Sequence, residues 1–200
     1  GLITSFVDPA GVTVEYNYNG SNELTSVSNG LDRTLTFTYS SGKLSEVSDG
    51  NRSVTFTVDG NANLTEFTDS MNKTTVYEYE EPSLLTKVFL PAFPSTEFVT
   101  YEYDSLGRIK TQQYANTGVT TFYISGWRSE VVDALGNSSV AYFSPIGRLL
   151  KEVNALEQET LYEYDGINRL TKMTFPEGNF VEWTYGEKNN VLTQTSTPKP

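Results

Sequence analysis

Apolar and polar residues alternate strictly along Val12-Thr-Val14-Glu-Tyr16-Asn-Tyr18, then Asn19-Gly20-Ser-Asn22 turns the chain and Leu24-Thr-Ser-Val27 returns. A period of two puts Tyr16 and Tyr18 on one face of a strand and Glu15 and Asn17 on the other. This strand–turn–strand unit recurs along the whole chain. Its first ring falls at Tyr16, Phe37, Phe56, Tyr77, Tyr101, Phe122, Tyr162 and Trp183, with Ala141 standing at the seventh of nine positions. The residue two further on is Tyr18, Tyr39, Val58, Tyr79, Tyr103, Ile124, Phe143, Tyr164 and Tyr185. Units repeating at about 20 residues form a quasi-one-dimensional array in which each touches only its neighbours.

The pattern therefore predicts an all-β fold, an antiparallel meander of about nine tandem β-hairpins with almost no helix. Between hairpins stand Asp8-Pro-Ala-Gly11, Asp49-Gly50-Asn51, Asp69-Ser-Met-Asn72, Asp133-Ala-Leu-Gly136-Asn137 and Phe175-Pro176-Glu-Gly178-Asn179. Asp at the first position and Gly or Asn at the last is a type I turn signature. Turns thus alternate at both edges, giving about 18 strands in order. Phe89-Leu-Pro91-Ala-Phe93-Pro94-Ser95 interrupts the rhythm, because two prolines in four residues cannot sit in a central strand. It is expected to be a protruding loop, with Leu90 and Phe93 tucked against the array. Trp127 is expected to fill the space left by Ala141. Tyr101 and Tyr162 are expected to be buried against equivalent rings of adjoining hairpins, so that Ala there costs roughly 3–5 kcal/mol, while Glu102 on the other face costs little.

Composition narrows the chemistry. The 200 residues carry 14 Lys and Arg against 25 Asp and Glu, a net charge of −11, with no His and no Cys. Such an acidic chain argues against a nucleic-acid partner and against docking on an anionic membrane. Absence of His and Cys excludes a Ser-His-Asp triad, a thiolate nucleophile and a His-based zinc site. No apolar run reaches the ~20 residues of a membrane-spanning helix, and the start, Gly1-Leu-Ile-Thr-Ser-Phe6, lacks the basic and long apolar regions of a signal peptide. The array is read as one domain over residues 1–200, a section of a longer protein.

The remaining candidates read as structure. Glu80-Glu81, and Asp165 near Glu163, are carboxylate pairs that nothing places in a cleft. Asp59-Gly-Asn61-Ala-Asn63 resembles the start of a calcium loop but lacks the Gly and closing Glu at the required offsets, so it reads as a hairpin turn. Asn51, Asn63, Asn72 and Asn137 open glycosylation sequons, which Thr-rich and Ser-rich strands generate freely. Arg108, Arg148 and Arg169 each follow a turn, where an Arg fork would bridge a turn Asp of its own or the next unit. Rows of Tyr could also form a sugar-binding surface. No catalytic, cofactor-binding or metal-ligating residue is assigned.

Tyr101-Glu-Tyr103-Asp104-Ser-Leu-Gly107-Arg108-Ile109 and Tyr162-Glu-Tyr164-Asp165-Gly-Ile-Asn168-Arg169-Leu170 resemble the YD repeat of Rhs proteins. Tyr142 to Leu150 matches in part, and hairpins one to four keep the spacing and the rings but not the Asp-x-x-Gly-Arg core. The resemblance covers essentially all 200 residues. It implies a curved, spiralling sheet forming part of a hollow shell, which in bacterial Rhs toxins and insecticidal toxin complexes encloses a toxin domain and in teneurins belongs to a cell-surface receptor. It implies further YD repeats and a toxin domain of the same polypeptide as partners, a secreted or cell-surface location, and no enzymatic activity. The alternative is an extracellular binding module for a glycan or protein. Unpaired strands at either end would favour edge-to-edge self-association.

Overall fold

The computed structural model describes residues 1–80 and 82–199. Its chain divides into two compact units, Gly1–Tyr101 and Glu102–Pro200. The first holds β1 (Ser5–Val7), β2 (Thr13–Tyr18), β3 (Leu24–Ser28), β4 (Thr34–Ser40), β5 (Lys43–Ser48), β6 (Ser53–Val58), β7 (Leu64–Thr68), β8 (Thr74–Glu80), β9 (Leu84–Phe89) and most of β10 (Glu97–Tyr103). Each strand of this run pairs antiparallel with the next. The second holds β11 (Ile109–Tyr114), β12 (Val119–Ser125), β13 (Arg128–Val132), β14 (Ser138–Phe143), β15 (Leu149–Val153), β16 (Glu159–Tyr164), β17 (Leu170–Thr174), β18 (Phe180–Tyr185) and β19 (Val191–Ser196). These too pair antiparallel in chain order. The described residues form no helix. All nine ring positions fall on the outgoing strands β2, β4 and so on to β18; the strand beyond the expected number is β1.

Most turns share one five-residue frame. In Asp104–Arg108 the amide of Asp104 donates to the carbonyl of Arg108 (2.8 Å), and that of Gly107 donates back to Asp104 (2.9 Å). The fourth residue must then take positive φ, 72° at Gly107 and 80° at Asn168, which is why Gly or Asn stands there. Ala62 and Glu157 occupy the same slot at 68° and 60°, held there by the frame. Asp49-Gly50-Asn51 departs from the type I expectation. Asp49 donates to Arg52 at 3.0 Å around only two residues, and positive φ falls on Gly50 instead, the pattern of a type II′ hairpin turn.

The period-2 face assignment holds, but burial is shallower than expected. Val99 is the one apolar residue buried among those described, at 3% exposure; Tyr101 and Tyr162 are only half-buried, while Glu102 is exposed. Equivalent rings lie on alternate strands, about 10 Å apart, because a return strand stands between them. Tyr16 faces Val27, Phe37 faces Val47, and Tyr162 faces Met173. Phe56 meets a ring, centroids 5.6 Å apart, because the return strand offers Phe67. An aliphatic neighbour in a single layer lowers the expected cost of Tyr162→Ala to about 1–2 kcal/mol. Leu90 is half-buried as expected, but Phe93 is 66% exposed, since the loop closes on itself through Phe93 to Leu90 and Thr96 to Phe93 bonds.

The reverse faces of the two units differ. From β2 to β7 the reverse face carries Glu15, Asn17, Ser26, Thr36, Thr38, Glu46, Thr55, Thr57 and Glu66, all polar. In the second unit one cross-strand row runs Arg128, Tyr142, Lys151, Leu161, Thr174, Phe180. There Lys151 sits 4.7 Å over the Tyr142 ring and Lys172 lies 4.2 Å over that of Phe180. Each Lys is also paired, to Glu159 and Glu182 respectively, at 2.9 Å. Lysine stems thus cover apolar surface while their ammonium groups stay compensated.

Candidate functional site

The residues that distinguish this chain gather at the turns. In the frame Asp165–Arg169, one carboxylate oxygen of Asp165 accepts the amides of Ile167 and Arg169, both at 3.0 Å. The other oxygen accepts Nε of Arg169 at 2.7 Å. Asp104 and Arg108 do the same, with Nε at 2.8 Å. The Arg108 guanidinium and its turn amides hold the Asp104 carboxyl below the ordinary value, and the Arg169 amide is the leading cause of the same shift at Asp165. Hydrogen bonds to an anion favour its charged form.

Arg169 then reaches the next hairpin. Its Nη1 donates to the Gly186 carbonyl (3.2 Å) and to Oδ1 of Asn189 (3.1 Å), and its guanidinium lies 4.6 Å from the Tyr185 ring centre. Arg148, whose turn begins with Ser144 rather than Asp, stacks 5.3 Å over Tyr164. In four units the second tyrosine completes the clamp by reaching back 15 residues. Tyr18 donates to Ile3, Tyr39 to Leu24, Tyr79 to Leu64 and Tyr185 to Leu170, with O–O distances of 2.9, 3.0, 2.9 and 2.6 Å. The acceptor is the backbone carbonyl of the preceding unit. The expected Arg fork is therefore present at Arg108 and Arg169, while Arg148, with Ser144 in place of the Asp, stacks on Tyr164.

The other sequence candidates resolve individually. Asp59–Asn63 is a hairpin turn: Asp59 accepts the amides of Asn61 and Asn63 at 2.9 Å and the Asn63 side chain at 3.0 Å, while Lys43 caps its carbonyl. Asn63 is 9% exposed, out of reach as a sequon; Asn51 and Asn72 are exposed, and Asn137 is tied to Asp133 at 2.8 Å. Glu163 and Asp165 are not joined, since Asp165 binds Arg169 and Glu163 lies opposite Lys172. Of the pair Glu80-Glu81, the second lies outside the described residues. Among the described residues no three acidic side chains cluster as a metal site would need.

Trp127 does not cover Ala141. It stays 56% exposed at the β12–β13 turn, and Ala141 instead opens a recess of about 310 Å³ lined by Ser129, Ser139, Glu152 and Thr160. Glu152 stands directly across from Ala141, where the units of Tyr16, Phe37, Tyr77 and Phe122 place a valine, and accepts the Tyr162 hydroxyl at 2.6 Å. Burial, helped by that bond, pushes the Tyr162 phenol up to about 12. The pairing was not foreseen from the sequence; its signal was a charged residue at the slot that holds Val27 or Val47 elsewhere.

Comparison with known proteins agrees with this geometry. The Teneurin YD-shell family model matches residues 9–199. The Photorhabdus luminescens Tc holotoxin pore aligns over 94% of this chain and 12% of its own, with a TM-score of 0.61 at 11% identity. TcdB2-TccC3 without its hypervariable C-terminal region aligns over 98% of this chain and 14% of its own, with a TM-score of 0.64 at 12% identity. Identities this low show a shared fold, and the chain spans only about an eighth of the length of those proteins. A search of curated protein sequences found no match. With repeated Tyr-x-Tyr strands, Asp-anchored turns and a family match over nearly its whole length, this chain belongs to the teneurin YD-shell family.

Proposed function

We propose that this chain is a non-catalytic stretch of shell wall, part of a longer secreted or cell-surface polypeptide that encloses or presents a toxin domain. Membership of a shell family gives it a structural role. The observation that carries the reading is the use made of the conspicuous side chains. Asp104, Asp165, Arg108, Arg169 and Tyr185 are each occupied in closing a turn or tying one hairpin to the next. Catalysis needs one asymmetric cluster of unlike groups free to act, whereas here the Asp–Arg fork recurs at two tips and the Tyr-to-carbonyl bond in four units. Likeness in fold to a Tc holotoxin pore and to TcdB2-TccC3 supports the toxin-associated form.

Electron cryomicroscopy of the full natural polypeptide tests it. A closed wall with density for a further segment inside is the expected result; an open array, or an empty one with the downstream segment outside, would overturn enclosure. Hydrolase, protease and nuclease assays on the purified chain should be blank. Selective binding on a glycan array, lost when the 54% exposed Tyr123 or the 56% exposed Trp127 is replaced, would instead favour the binding-module reading.

A further inference from the structure

Two departures from the repeat coincide in the hairpin of β14 and β15. Ala141 stands at the slot where the other units carry a ring, and Glu152 faces it across the strand pair. At the same facing slot Tyr16, Phe37, Tyr77 and Phe122 meet Val27, Val47, Val88 and Val131. The flanking strands add no bulk, because Ser129 on β13 and Thr160 on β16 continue the row on either side of the pair. A missing ring with small neighbours leaves the recess of about 310 Å³, whose lining also includes Val131 and Ser139.

The charge in this recess is uncompensated. Among the described residues Glu152 is joined to no Lys or Arg; the adjacent Lys151 pairs with Glu159 at 2.9 Å. Its Oε2 accepts the Tyr162 hydroxyl, a neutral partner, and Oε1 is left to take a further donor.

The lining decides the class of ligand. An anion would be repelled by Glu152. A sugar ring is ordinarily held against an aromatic face, and none of the lining residues is aromatic. Calcium takes about six to eight oxygens, several of them from carboxylates, and Glu152 is the one acidic side chain in the lining. An organic cation with an aliphatic stem satisfies both features: the stem lies along Ala141 and Val131, and the head meets Glu152 with the serine and threonine hydroxyls as further acceptors. Because Oε2 is already engaged, a compact ammonium suits the site better than the two-pronged guanidinium. The net charge of −11 also favours a cationic partner.

We propose that the recess at Ala141 is a binding slot for a lysine side chain presented by a polypeptide segment, with Glu152 as the counter-ion and Ser129, Ser139 and Thr160 as its polar rim. This slot does not depend on whether the wall encloses a toxin domain, so it can fail or stand independently of that reading.

Titration of the 200-residue chain with Nα-acetyl-lysine methylamide, followed through the backbone amide signals of Ser129, Ala141 and Thr160 by nuclear magnetic resonance, tests it. Saturable shifts at these three amides are expected. The norleucine analogue, which keeps the stem and lacks the charge, and the Nε-acetylated probe should each bind about tenfold more weakly. Glu152→Gln, which keeps an acceptor for Tyr162, and Ala141→Phe, which restores the ring of the other units, should each weaken lysine binding by a similar factor, while Glu163→Gln on the exposed reverse face leaves it unchanged. Thermal unfolding of each variant establishes that it is folded. Shifts that do not saturate, equal binding by the norleucine or arginine analogue, binding that survives Glu152→Gln, an equal loss with Glu163→Gln, or shifts at the same amides with methyl glucoside in place of the amine would each overturn the proposal.

Discussion

Two hairpin tips built on the same frame are finished differently. In Asp165–Arg169 the last residue reaches outward, and Arg169 ties its turn to Gly186, Asn189 and the Tyr185 ring of the following hairpin. In Asp59–Asn63 the last residue folds inward: Asn63 binds Asp59 and is 9% exposed, and the tie between hairpins comes from the preceding unit through Lys43. Both share the Asp that accepts two amides and the positive φ at the fourth position. The comparison separates what the turn needs from what the array needs. A carboxylate or amide oxygen at position one closes the turn, whereas linking successive turns is a job that Arg or Lys performs from either side.

Acid should break both tips together, and this is the largest effect expected because several carboxylates act at once. Bonds from Arg52 hold Asp49 down at about 2, and Asp59, Asp104, Asp133 and Asp165 are likewise lowered by their turn amides and partners. A carboxyl with a depressed folded value stabilises the fold above its unfolded value near 3.8 and loses that contribution as pH falls through the folded value. Stability measured by chemical denaturation should therefore hold from neutrality to about pH 4 and fall between about pH 4 and pH 2. A decline already complete by pH 5 would show that other groups dominate.

Next in size, Tyr162→Ala should cost about 1–2 kcal/mol in chemical denaturation, the share due to a half-buried ring, and clearly less than the same change at a fully enclosed aromatic. A loss above about 3 kcal/mol would mean that a covering layer buries the ring face. The tips themselves are separated by Asn63→Ala and Arg169→Ala. The first removes a buried amide that partners Asp59 and should cost about 1 kcal/mol; the second removes a part-buried pair with Asp165 together with the bonds to Gly186 and Asn189 and should cost more, about 1–2 kcal/mol. Equal losses would undo the inward–outward distinction. Tyr39→Phe and Tyr185→Phe each delete one hydroxyl bond to a carbonyl 15 residues back and should cost about 0.5–1.5 kcal/mol alike, since that clamp is common to both regions. Smallest of all, Asn168→Gly relieves a side chain from φ 80° and should change stability by no more than about 0.5 kcal/mol, whereas Gly107→Ala should destabilise by about 1 kcal/mol.

Glu152→Gln sharpens the odd unit in the same way. Without the carboxylate, the Tyr162 phenol should titrate below its value of about 12 by ultraviolet absorbance. No movement would place the shift wholly on burial.

What the sequence settled is what operates over a few residues. Strict alternation from Val12 to Tyr18 dictated the two faces, and an Asp or Asn three residues before a Gly or Asn marked several of the strand ends, because side-chain acceptors and tolerance of positive φ act within one turn. Even the Asp104–Arg108 fork was legible, both partners lying in one frame. Relations spanning a whole unit were decided by the tertiary structure. Tyr185 reaches Leu170, Arg169 reaches Tyr185 and Tyr162 meets Glu152 because of which strands become neighbours. Ring depth was decided there too: a return strand always intervenes between equivalent rings, so Tyr162 gained Met173 rather than another aromatic, and a single layer of strands leaves each ring partly in water.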